Sequence, residues 1–120
     1  MNTSGDAKVI ETSGSCHCGK VEFTVNGPIL GQSYCDCKAC QKATGTLKVP
    51  FITVSKDSLT IDKGDLSIAH GSTGVKCDNN GFWQHCPECG TKIYWVPHQG
   101  DQIDILVGTL DDTSVFRPEA

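Results

Sequence analysis

Eight cysteines in a chain of 120 residues constrain this sequence more than any other feature, and all but Cys77 fall into three tight groups: Cys16-x-Cys18, Cys35-x-Cys37-x-x-Cys40 and Cys86-x-x-Cys89. Two chemistries explain so many: a disulfide framework in an oxidising compartment, or metal ligation in a reducing one. The stretch from Met1 to Gly14 has no basic region followed by an apolar run, and no segment approaches the length of a membrane span. The expected location is therefore cytoplasmic, where thiols stay reduced and bind metals. Spacing points the same way. A disulfide between near neighbours closes a tiny loop and restricts the unfolded chain little, whereas a close pair supplies two ligands to one ion. Buried structural thiols with occasional disulfides are the plainer alternative.

A chain this short has only a modest core to bury, so a cross-link has work to do. With 38% hydrophobic and 7% aromatic residues, 13 glycines and 5 prolines, short strands and many turns are expected rather than long helices. The formal net charge is −4, and the ten Lys and Arg, with Arg117 the single arginine, are spread along the chain. No basic stripe marks a nucleic-acid surface, so neither nucleic acid nor membrane is expected as a partner.

The chain has no repeat and no internal linker; it reads as a frayed terminus over residues 1–6 and one domain over 7–120. Val21, Phe23 and Val25 alternate up to the breaker Gly27-Pro28, as a half-buried strand does. Ile29 to Tyr34 leads into the second cysteine group. Leu47 to Val54, Leu59 to Ile61 and Leu66 to Ile68 are further strand candidates, with Asp62-Lys63-Gly64-Asp65 expected to form a hairpin between the last two. Lys92 to Val96 carries Ile93 and Trp95 on one face, and Ile103 to Val107 reads as buried on both sides. Only Lys38 to Thr44 suits a helical turn, which Gly45 would stop.

Cys16 and Cys18 precede the first of these strands, and Cys86-Pro87-Glu88-Cys89-Gly90 forms a knuckle late in the chain. Four thiolates at about 2.3 Å from Zn²⁺ make the usual closed structural site, and a glycine permits the tight turn behind the second sulfur. The middle group offers only Cys35, Cys37 and Cys40. Three protein ligands leave a position open, which is the arrangement of catalytic zinc. Alternatively, Cys77 or a histidine closes this second site, or its thiols stay metal-free and reactive. His17 and His85 adjoin ligands, and neighbours on an extended strand point to opposite faces, so neither is expected to bind. His70 and His98 read as surface residues. Trp83, Trp95, Phe82 and Tyr94 read as core or groove lining. Lys38 and Lys42 are placed to attract an anion.

Ser15-Cys16-His17-Cys18-Gly19, the run Cys35-Asp36-Cys37-Lys38-Ala39-Cys40-Gln41-Lys42-Ala43-Thr44-Gly45, Cys86-Pro87-Glu88-Cys89-Gly90-Thr91 and Gly108-Thr109-Leu110-Asp111-Asp112 together resemble the glutathione-dependent formaldehyde-activating enzyme family, whose domain also occurs in centromere protein V. The resemblance implies a mainly β, Mss4-like fold of small packed antiparallel sheets stapled by zinc. It implies two Zn²⁺ per chain: a structural ion on Cys16, Cys18, Cys86 and Cys89, and a catalytic ion on Cys35, Cys37 and Cys40. It further implies a carbon–sulfur lyase interconverting S-hydroxymethylglutathione with glutathione and formaldehyde. Lys38, Lys42, Lys48, Lys76 and Arg117 are candidate partners for the carboxylates of glutathione or another small thiol. Asp36 is not expected to be a ligand and would make the site less welcoming to an anion. Many members continue past the Leu-Asp-Asp region with a proline, a histidine and a later tryptophan, whereas this sequence reads Arg117-Pro118-Glu119-Ala120, so the closure of the pocket that the resemblance implies is not carried over as an expectation. A reading of a different class, a non-catalytic zinc module that binds a partner through an exposed apolar patch, is the alternative, since fold alone does not establish function.

Overall fold

Phe23 and Val25 alternate with Glu22, Thr24 and Asn26, and this segment forms the central strand of a small sheet. In a computed structural model, which describes residues 8–70, 81–97 and 100–118, β1 (Val9–Ser15) and β2 (Glu22–Pro28) form an antiparallel hairpin. The chain continues through β3 (Gly31–Cys35), α1 (Lys38–Thr44), β4 (Val49–Ser55), β5 (Leu59–Lys63), β6 (Ser67–His70), β7 (Gly81–His85), β8 (Lys92–Pro97) and β9 (Gln102–Leu106). Two sheets result: β1-β2-β5, and a six-stranded sheet in the order β3-β4-β9-β8-β7-β6, with every pairing antiparallel. The expected mainly β fold of small packed antiparallel sheets is what forms. The expected frayed residues 1–6, and also Lys76, Cys77 and His98, lie outside the described residues. Among those described, no helix is long and apolar enough to cross a membrane.

The core lies between the sheets. Ile10, Phe23 and Val25 enter it from the small sheet, and Ile52, Val54, Ile93, Ile103 and Ile105 from the large one, all at most 4% exposed. Val107 and Leu110 close one end. There Gly14 bridges to Leu110, and the Asp111 N–H donates to the Ser13 carbonyl at 2.8 Å. The Gly108-to-Asp112 motif thus fastens the end of the chain to β1.

Sequence and structure part company in four places. Asp62-Lys63-Gly64-Asp65 makes no hairpin, because β5 pairs with β2 and β6 with β7. Pairing Ile61 with Phe23 and Leu59 with Val25 lays both apolar side chains over the core, an advantage that a hairpin with β6 does not offer. The turn instead carries the chain from one sheet to the other, with Gly64 at φ 85° against the Lys20 carbonyl. Ile93 and Trp95 do not share a face: β8 has one extra residue where Gln84 pairs with Tyr94 but His85 with Lys92, and this bulge turns Ile93 into the core. The strand expected over Ile103 to Val107 forms as β9 up to Leu106, where a 3-10 turn follows, but it is fully buried on one side only. Its Ile103 and Ile105 are fully buried, while Asp104 between them is partly buried on the other face. Finally, β1, β3 and β7 carry too little regular alternation to read as strands, and their neighbours recruit them. Helix α1 and its stop at Gly45, which adopts φ 77°, are as expected.

Gly14 faces Phe23 across the hairpin, and a β-carbon there would strike both the Phe23 ring and the Thr109 carbonyl oxygen. We expect Gly14→Ala to lower stability by about 1–3 kcal/mol, read as a lower urea midpoint with an unchanged slope; an unchanged midpoint would mean that the Gly108-to-Asp112 segment gives way at little cost.

Candidate functional site

The first and third cysteine groups each occupy the tip of a hairpin. The β1–β2 tip carries Cys16 and Cys18, and the β7–β8 tip carries Cys86 and Cys89, so each sheet contributes one pair. The tips are built alike. Cys16 N–H donates to the Val21 carbonyl and Gly19 N–H to the Cys16 carbonyl; Cys86 N–H donates to Thr91 and Gly90 N–H to Cys86. Gly19 and Gly90, at φ 82° and 81°, make the left-handed step behind each pair. Backbone N–H groups also point at sulfur: Val21 to Cys16 Sγ at 3.3 Å, and Glu88 and Cys89 to Cys86 Sγ at 3.3 and 3.5 Å. Between the tips, His17 N–H donates to Thr91 Oγ1 at 3.0 Å.

All four sulfurs lie within 4.8 Å of one another, with Cys16 to Cys18 at 3.6 Å and Cys18 to Cys86 at 3.8 Å. Ligands at about 2.3 Å from a tetrahedral ion would stand about 3.8 Å apart, so the group fits a metal. The thiols cannot all ionise unaided. Hydrogen bonding from the Thr91 side chain pulls Cys89 down to about 5. At Cys18 the Lys20 N–H acts downward, but burial and its three cysteine neighbours prevail and push it up to about 11. A bound cation would relieve that repulsion. His17 and His85 are outside the group, as expected: the His17 residue is exposed, and His85 Nδ1 lies 3.0 Å from the Cys86 carbonyl oxygen.

The middle group forms at the end of the large sheet. Cys35 closes β3 opposite Val49, Cys37 caps α1, and Cys40 lies within it. The three sulfurs converge within 4.8 Å, and no fourth Cys, His, Asp or Glu joins them among the described residues, Asp36 included. Closure by Cys77 falls outside those residues. Cys35 and Cys40 sulfurs are 2.8 Å apart and Cys35 to Cys37 is 3.5 Å, so the first pair must open by about 1 Å to seat a tetrahedral ion. Cys37 carries a disulfide bond, and its sulfur can serve as a thiolate only once that bond is reduced. Burial, then the Cys35 contact and the Asp104 charge, push Cys40 up to about 12.

Register places this group relative to the sheet, because residues directly opposite each other share a face. Cys35 pairs with Val49, Thr53 with Asp104, Asp104 with Trp95, and Trp95 with Trp83. Cys35, Val49, Phe51, Thr53, Asp104, Trp95 and Trp83 therefore stand on the face turned away from the core. Val49 and Trp83 are buried yet not part of the core cluster. Trp95 lies against Gly81, where a β-carbon would meet its ring. Thr53 Oγ1 donates to Asp104 Oδ1 at 2.6 Å. Asp104 was not singled out by sequence reasoning; a lone acid between two isoleucines on a strand was the available signal. Of the candidate cations, Lys38 and Lys42 are on α1. Lys48 instead sits over the Tyr34 ring at 5.6 Å, and the Arg117 N–H donates to Gln32 Oε1 at 2.5 Å. Tyr34 and Gln32 pair with Pro50 and Ile52, on the core side of β3 rather than the Cys35 side.

Fold and clusters together define a small antiparallel β protein with two groups of thiols able to hold metal ions. The chain matches the glutathione-dependent formaldehyde-activating enzyme family over residues 11–120, and it belongs to that family. A crystal structure of a Rhodobacter sphaeroides protein has the same fold, with a TM-score of 0.62 and 22% identity over 82% of this chain and 87% of that one. No curated protein matches the chain.

Burial holds the Asp104 carboxyl above its ordinary value of 3.8 against the lowering effect of Thr53. A raised folded-state value means the native protein keeps its proton where the unfolded chain has lost it, so stability is lost as pH rises through that value. Asp104→Asn should match wild type below 3.8 and gain on it as pH rises. Paired urea titrations across pH would check this, and a gap that stays constant would contradict it.

Proposed function

We propose that this protein is a cytoplasmic zinc enzyme of the carbon–sulfur lyase type, joining glutathione or a related small thiol to formaldehyde and releasing them again. The observation that carries the reading is the contrast between the two thiol groups. One is a set of four sulfurs tied between two sheets; the other is a set of three at the end of one sheet, beside a face that the core does not use. Family membership supports the substrates, since its name joins glutathione and formaldehyde.

In this reading Cys16, Cys18, Cys86 and Cys89 hold a structural zinc, and the Val21, Glu88 and Cys89 N–H groups spread the excess negative charge of four thiolates on a dication. Cys35, Cys37 and Cys40 hold the second ion, which when bound stabilises a substrate thiol as its thiolate at neutral pH. The residues of the chain do the rest. Helix α1 fixes Cys37 and Cys40 on one turn, with the Thr44 hydroxyl donating to the Cys40 carbonyl at 2.8 Å. Lys38 and Lys42 offer positive charge to the carboxylates of the thiol. Phe51, two residues along β4 from Val49 on the face that bears Cys35, supplies apolar surface beside the three-thiol group. Among the described residues the large apolar side chains that are exposed, Val9, Leu30, Tyr34, Leu47 and Ile68, are on different elements, which lends a partner-binding module little support.

Metal analysis after full reduction should give two zinc per chain, falling to one when Cys37 is left oxidised. Cys86→Ala should fail to fold, because structural zinc contributes on the order of 10–16 kcal/mol, as much as or more than the net stability of a small domain. Cys40→Ala should stay folded with one zinc.

The deciding experiment is exchange NMR at chemical equilibrium, following S-hydroxymethylglutathione against glutathione and labelled formaldehyde. The wild type should raise the exchange rate in proportion to its concentration and Cys40→Ala should not. Equal rates with and without wild-type protein would sink the reading.

A further inference from the structure

Two of the three thiols in the middle group ride on a helix that the core does not hold. Cys37 caps α1 and Cys40 lies within it, and none of its seven residues is buried. The third thiol, Cys35, belongs to a strand fixed by its pairing with β4. Reduction of the Cys37 disulfide, which metal binding requires, leaves α1 to its other ties. Among the described residues, the side-chain hydrogen bonds that leave α1, apart from those between sulfurs, run to the loop of residues 45–48. Gln41 Nε2 donates to the Leu47 carbonyl at 3.1 Å. The Thr44 hydroxyl, which donates to the Cys40 carbonyl at 2.8 Å, lies 3.1 Å from the Thr46 hydroxyl and accepts the Thr46 N–H at 3.4 Å. Thr46 Oγ1 donates in turn to the Lys48 carbonyl at 3.1 Å. Two hydroxyl protons serve three contacts, so the Thr46 proton is shared between Thr44 and Lys48. A short polar strap thus runs from Cys40 to Lys48, next to Val49, the partner of Cys35 in the sheet.

The loop is exposed at each of its four residues and passes into the buried Val49. Water would satisfy its polar groups almost as well, so the strap adds little to folding. What it fixes is the spacing between the two backbone segments that carry Cys40 and Cys35. Their sulfurs, 2.8 Å apart, must part by about 1 Å to seat a tetrahedral ion. Rotation of the two side chains supplies such a shift only while the backbones behind them stay in place. We propose that Thr46 and Gln41 are positioning residues of the three-thiol group, holding α1 at the spacing from β3 at which Cys40 shares an ion with Cys35, and so setting how tightly that ion is bound. The assignment rests on the reading of the three-thiol group as a metal site and adds the residues that keep its two halves in step. The four-thiol group is fixed instead by its own hairpin tips, so the strap acts on one ion and not on the other.

The test is a chelator competition on the fully reduced, zinc-loaded protein, in which the more weakly held ion is withdrawn first and its dissociation constant is read. Thr46→Val removes the hydroxyl at nearly constant shape and should weaken the second ion roughly three- to tenfold. Gln41→Met should do the same, and the double variant should weaken it further. Thr46→Ser, which keeps the hydroxyl, should bind the ion as wild type does. The first ion and the melting temperature should be unchanged in every variant. Cobalt substitution supplies a second readout: the d–d bands of the weaker Co²⁺ site should change in Thr46→Val and return to the wild-type form in Thr46→Ser. A double variant that holds the second ion as tightly as wild type overturns the assignment, and so does a wild type that takes up one ion only. A loss of affinity shared by both ions, or accompanied by a lower melting temperature, also overturns it, since a merely structural role would give that result. If the double variant weakens the second ion alone but wild type accelerates no exchange of S-hydroxymethylglutathione, the lyase reading falls and the strap stands. If wild type accelerates exchange while the double variant holds the second ion equally well, the strap falls alone.

Discussion

Everything in this molecule depends on four sulfur atoms meeting from two directions. Cys16 and Cys18 belong to a hairpin of the small sheet, and Cys86 and Cys89 to a hairpin of the large one. The core between the sheets is made of a few isoleucines and valines with one buried phenylalanine, modest for a chain that must order so many loops. An ion held at the hairpin tips would fix the distance between the sheets there, and the Gly14–Leu110 bridge and the Ser13–Asp111 contacts, two and three residues before Cys16, tie the last segment of the described residues to the same end of β1. The surface ion pairs, Lys20 with Glu88 at 3.7 Å and Lys63 with Glu22 at 3.8 Å, are exposed and add little.

Much of this was legible before any coordinates, because cysteine spacing is a local signal with a narrow physical meaning. Cys-x-Cys-Gly and Cys-x-x-Cys-Gly specify a turn, a pair of sulfurs and a left-handed step, and the glycines take φ near 80° as those turns require. Gly45 stops α1 for the same reason. What the sequence hid was non-local. Nothing in Asp62-Lys63-Gly64-Asp65 says that the strands on either side belong to different sheets; that choice is made by Phe23 and Val25, far away, which need Ile61 and Leu59 as neighbours. Nor does alternation in Lys92 to Val96 disclose a bulge, which exists only as a mismatch between two strands. Strands β1 and β3 are polar along much of their length and become strands because a partner is there.

The bulge has a consequence for both faces of the sheet. Without the extra residue, Ile93 and Trp95 would stand on one face, and one of them would have to leave its surroundings. With it, Ile93 and Tyr94 both turn inward, and Trp95 is left to line up with Asp104 and Trp83 on the outer face. One irregularity in β8 thus supplies the core with a buried isoleucine and the outer face with an indole. Bulges re-aim side chains in this way.

The two faces of the large sheet differ in kind. The inner face holds Ile52, Val54, Ile103 and Ile105, fully buried and without a polar atom in their side chains. The outer face holds a threonine, a carboxyl, two indoles and a thiol that closes one edge. Along β4 and β9 the two sets alternate residue by residue, so the rigidity of the inner row is transmitted directly to the outer one. Asp104 sits between two of the best-packed residues in the protein, and its backbone cannot drift while they stay in place. A carboxyl there costs stability on account of its burial, but its position is better defined than any loop could provide.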